Sequence, residues 1–80
     1  MPVILRYKAY RFFFFSNERI PREPVHIHVR KDNCLAKVWI VPEVKLVYNY
    51  GFSSNELKEI VSTVSKNKDL IERSWNEYFS

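Results

Sequence analysis

His26 and His28 are the side chains in this chain best suited to moving a proton or holding a metal. Histidine titrates near neutral pH and is the commonest metal ligand. The segment Val25-His26-Ile27-His28-Val29-Arg30 alternates strictly, the pattern of a half-buried strand. Two residues apart on a strand, the imidazoles point the same way, about 6–7 Å from one another. As acid and base, with cations nearby for phosphate, they would suit a metal-independent ribonuclease. With Glu23 they would offer a divalent metal three ligands, although structural zinc usually takes four and favours thiolates. The plainest alternative is a pair of surface histidines, His26 stacked on Trp39. Cys34 beside a turn could make a thiol site with the histidines, but a free cysteine without a role is the simpler reading.

Charge widens the candidate site. Residues 1–40 carry eight bases and three acids, net +5, whereas residues 41–80 carry five bases and six acids, net −1. Such asymmetry points to a basic face able to attract phosphate. Arg6, Arg11, Arg30 and Lys37 would supply the cations, and Phe13, Phe15 and Trp39 the flat rings. Cations interleaved with rings suit single-stranded RNA, and the same composition suits a protein interface.

The elements that must position these groups read as strands first and helices second. Val3 to Tyr7 and Tyr10 to Ser16 are rich in strand formers, with Lys8-Ala9 as an unfavourable turn. That turn sets Leu5 opposite Phe12, Val3 opposite Phe14 and Arg6 opposite Arg11. The opposed arginines need solvent, an acid or an anion. Residues 16–24 form a polar loop with Pro21 and Pro24. With Asp32-Asn33 as the next turn, Val29 faces Ala36, Ile27 faces Val38 and Val25 faces Ile40, all apolar. The other side pairs Arg30 with Leu35, His28 with Lys37 and His26 with Trp39, and a one-residue slip would spoil the separation. Val44 to Tyr48 reads as a further strand, and Gly51 as a turn with positive φ.

Ser53-Ser54-Asn55-Glu56 fits a capping box, and Phe52 with Leu57 a hydrophobic staple. Leu57, Ile60, Val61 and Val64 form one apolar stripe, continued by Ile71, Trp75, Tyr78 and Phe79 after a break or kink near Asn67 and Asp69. The helices' exposed positions are mixed in sign, which argues against a DNA-reading helix-turn-helix. The expected fold is α+β: an antiparallel sheet of four or five strands with two C-terminal helices packed on one face.

Length bounds the rest. The 80 residues suit a single domain, strand-rich over 1–50 and helical over 52–80. One glycine excludes a P-loop or dinucleotide fingerprint, and no cofactor is expected. One cysteine excludes an internal disulfide. No apolar run suits a membrane span, the first residues lack a signal-peptide pattern, and a cytoplasmic location without membrane contact is expected.

Several strings are distinctive together: Ile4-Leu5-Arg6, Tyr10-Arg11-Phe12-Phe13-Phe14-Phe15-Ser16-Asn17-Glu18 and Pro24-Val25-His26-Ile27-His28-Val29. Ala36-Lys37-Val38-Trp39, Asn49-x-Gly51-Phe52-Ser53 and Trp75-Asn76-x-Tyr78-Phe79 extend the set over nearly the whole chain. In these the chain resembles the bacterial family called domain of unknown function 4160. The resemblance implies a small stand-alone protein, often encoded beside a second small protein in a toxin–antitoxin-like arrangement. It carries over Arg11, Glu18, His26, His28 and Lys37 as candidates without roles. Lys8-Ala9, where that family commonly has Asp-Gly, and the short Asp32-Asn33 turn depart from the pattern at hairpin tips only.

The expectation is therefore a component of a two-gene module that binds RNA or a small protein from a neighbouring gene, with a homodimer also open. Ribonuclease, metal-binding and DNA-regulator functions stand as alternatives.

Overall fold

The computed structural model describes residues 3–15 and 23–79. Most of the polar loop, with Glu18, Arg19 and Arg22, lies outside the described residues. Five strands run in chain order, β1 (Val3–Tyr7), β2 (Tyr10–Phe13), β3 (His26–Lys31), β4 (Cys34–Trp39) and β5 (Lys45–Tyr50), and two helices follow, α1 (Ser54–Lys66) and α2 (Lys68–Tyr78). The strands form one antiparallel meander in the order β1-β2-β3-β4-β5. The fold is α+β, as expected, with both helices on one side of the sheet.

The second hairpin has the register that the alternation requires. Ile27 pairs with Val38 and Val29 with Ala36, while His26 pairs with Trp39, His28 with Lys37 and Arg30 with Leu35. The first hairpin departs from expectation at its far end. Leu5 pairs with Phe12 and Arg6 with Arg11, but Val3 pairs with Phe13, because Ile4 is an extra residue at a bulge. β2 ends at Phe13 and β5 runs to Tyr50, so the former is shorter and the latter longer than the composition suggests. β5 carries its own bulge: Lys37 pairs with Tyr48 and Val38 with Leu46, leaving Val47 extra. Both bulges sit on edge strands, where such irregularities discourage pairing with other chains.

Phe12, Phe14, Ile27, Val29, Ala36, Val38 and Ile40 are buried against Ile60 and Val64 of α1 and Ile71 of α2. Leu57 and Val61 of the expected stripe are only half-buried, and Thr63 is buried instead. Its hydroxyl escapes an unpaired burial by donating to the Glu59 carbonyl at 2.7 Å. The helix start matches the capping box: Glu56 N–H donates to Ser53 Oγ at 3.2 Å, and Ser53 N–H to Glu56 Oε1 at 2.9 Å. The helices divide at Asn67, whose side-chain amide donates to the Thr63 carbonyl at 2.8 Å. Among the described residues no helix is long and apolar enough to cross a membrane.

Charged contacts tie α1 to the hairpin tips. Glu59 accepts from Lys8 and, at 3.1 Å, from the Tyr10 hydroxyl; Glu56 accepts from Lys31 at 2.9 Å. The Lys8 hydrogen bond is the main reason the Glu59 carboxyl titrates below its ordinary range, and the Tyr10 hydroxyl adds to it. The Ser53 N–H does the same for Glu56, followed by Lys31. Lys8 has φ +53°, in the left-handed region, and its ion pair anchors the turn that the sequence makes unfavourable. Gly51 is needed twice over: its φ is +100°, and a Cβ there would stand 2.9 Å from Cys34 Sγ.

Candidate nucleic-acid interface

Directly paired residues of an antiparallel sheet project to the same side. One row on the side away from the helices runs Arg6–Arg11–Arg30 across β1, β2 and β3. It continues through Leu35 of β4 to Tyr50 of β5. All three arginines are exposed. Among the described residues the ion pairs are Lys8–Glu59, Lys31–Glu56, Lys37–Glu23 and His26–Glu23, and none includes an arginine of this row. Three like charges thus stand opposite one another with no acid paired to them among the described residues, an arrangement that costs stability. Arg11 and Arg30 flank a shallow cleft of about 180 Å³, completed by Phe13 and Val3. Val3 reaches it because the bulge at Ile4 turns it to this side.

The second row, Phe13–His28–Lys37–Tyr48, has a different character. The imidazoles do share one side of the sheet, but they do not reach solvent. His26 is 0% exposed, His28 2% and Phe13 4%. His28 lies between Phe13 and Phe15, with ring centroids at 5.8 and 4.0 Å, and Tyr48 at 6.4 Å. His26 packs on His28, Trp39 and Trp75 at 5.3, 5.5 and 5.0 Å. Trp75 also meets Phe14 of the main core at 5.2 Å, so the end of α2 closes over this corner of the sheet. The expectation of outward imidazoles is corrected here: rings from β2, β4, β5 and α2 have built a second apolar cluster around them. His26 does stack edge-on against Trp39, as the pairing suggested.

Polar contacts fix these rings in place. His26 Nδ1 is 2.8 Å from the Pro24 carbonyl, and His28 Nδ1 is 3.4 Å from the Tyr48 hydroxyl. Glu23 Oε1 accepts from Lys37 at 2.8 Å and lies 3.7 Å from His26 Nε2. Lys37, largely buried, also stands 4.8 Å above the Trp39 ring. Among the described residues no group of three or more His, Cys, Asp and Glu side chains is placed to hold a metal ion. Cys34 packs at Gly51, on the helix side of β4, since its partner Lys31 reaches Glu56.

Of the residues expected to form a working face, Arg6, Arg11 and Arg30 come together and are open. Lys37, Phe13, Phe15, Trp39, His26 and His28 come together in the packed cluster. Tyr50, 64% exposed, is the ring the sequence reading missed. Its signal was the Tyr48-x-Tyr50 spacing, which puts both rings on one side of a strand that continues to Gly51.

These features define a small α+β protein with a five-stranded meander, a helical layer on one side and an arginine row on the other. Residues 9–76 match the family described as Domain of unknown function (DUF4160), and the chain belongs to that family. No curated protein and no solved structure gives a significant match.

Proposed function

We propose that the protein binds RNA through the arginine row on the outer side of its sheet, as one member of a toxin–antitoxin-like two-gene module. The two-gene setting comes from the family resemblance; the RNA reading rests on the sheet. Its single supporting observation is that Arg6, Arg11 and Arg30 stand opposed on adjacent strands with no acid paired to them among the described residues. A polyanion relieves that repulsion, and phosphate oxygens match the guanidinium fork. Binding is favoured over cleavage because both imidazoles are buried, and a general base must come within hydrogen-bond reach of the proton it takes.

The test is the affinity for a short labelled uridine oligonucleotide, measured by fluorescence anisotropy over a series of salt concentrations. Three phosphate contacts on a single strand give a log–log slope of about −2. Arg11→Ala should weaken binding and flatten the slope by about 0.7. A flat salt response in the wild type would remove the reading.

A further inference from the structure

Tyr50 lies in the same row as the arginines, at the other edge of the sheet. The row takes one residue from each strand and, at about 4.8 Å per strand, spans roughly 19 Å. Its first half is cationic. Its second half is Leu35, half-buried and uncharged, and then Tyr50. The Tyr50 ring is braced by Tyr48, with centroids 5.1 Å apart, and is otherwise the most exposed large apolar side chain among the described residues. The bulge at Val47 makes this possible. It turns Leu46 to the core while Tyr48 and Tyr50 face outward beside Lys37 and Leu35.

We infer that RNA is held as a single strand running across the β-strands, with phosphates on Arg6, Arg11 and Arg30 and an unpaired base stacked on Tyr50. The inference rests on the RNA reading above and adds the form of the ligand, its path and a specific stacking residue. Bases within a duplex hide their faces, so an exposed ring gains a partner only from an unpaired one. An acidic protein segment would satisfy the arginines but would have no need of a stacking platform.

The experiment compares three probes on the intact protein: the labelled uridine oligonucleotide, a duplex RNA of similar length, and inorganic polyphosphate. Tyr50→Ala should weaken the single strand by roughly 5- to 20-fold, the lower part of the range for losing one base–aromatic stack. It should leave polyphosphate binding unchanged. Tyr50→Phe, which keeps a ring, should bind as the wild type does. Arg11→Ala should weaken the single strand and polyphosphate alike.

If Tyr50→Ala matches the wild type on the single strand while Arg11→Ala weakens it, the stacking path is overturned and the RNA reading stands. Equal wild-type affinity for the duplex and the single strand would overturn the path as well. If the wild type does not bind the oligonucleotide at all, both readings fall together.

Discussion

The outer side of the sheet contains two regions built from neighbouring rows of the same strands. In the Phe13–His28–Lys37–Tyr48 row, rings from both hairpins and from α2 exclude water, and the polar atoms contact one another and the backbone. In the Arg6–Arg11–Arg30 row, cations stand side by side in solvent. Two residues along each strand separate a region whose side chains hold the fold from a region whose like charges oppose it. Residues that oppose the fold without a local reason are candidates for recognition. The arginine row is such a place, and the histidine pair is not.

The contrast can be broken most decisively at Phe13 and Arg30. Phe13→Ala should destabilise the protein by about 3–5 kcal/mol, the range for truncating a buried aromatic ring, as read by chemical denaturation. A loss below about 1 kcal/mol would show that the outer cluster is not a core. Arg30→Thr puts a strand former at this position and removes one of three like charges. It should change stability by no more than about 0.5 kcal/mol, in the stabilising direction, and the difference should shrink as salt is added. A marked destabilisation instead would mean that Arg30 supports the fold.

The smallest effect separates the helix clamp from both regions. The Glu59 carboxyl is held below its ordinary range first by Lys8 and then by Tyr10. Its contribution to stability is complete above the unfolded-chain value of about 4.3 and is lost as pH falls through the lower folded value. Glu59→Gln should therefore lower Tm modestly near pH 6, with the gap to the wild type closing toward pH 3. Parallel Tm curves would show that the ion pair at the first hairpin tip contributes nothing.

Much of the fold was legible in the chain. Strict alternation from Val25 to Val29 and the Asp32-Asn33 turn set the register of the second hairpin, because a period of two admits one pairing that keeps apolar residues together. Ser53 and Glu56 marked the helix start, because a capping box is a local hydrogen-bond pattern. Arg6, Arg11 and Arg30 were legible as cations of one face and Arg6 as the partner of Arg11, whereas the pairing of Arg11 with Arg30 was not, because the β2–β3 register crosses a long loop.

Exposure was decided by the tertiary structure. Period two says which side of a sheet a residue occupies, and it is silent on what comes to cover that side. Phe15, Tyr48 and Trp75 approach the histidines from three distant stretches of chain, and their packing turned a supposed surface into a second core. The bulges at Ile4 and Val47 likewise arise from pairing between strands, not from the composition of either strand alone. They bring Val3 beside the arginines and Tyr50 to the end of their row. The amino-acid sequence determined the strands, the cap and the charge; packing between remote segments decided which of those charges face water.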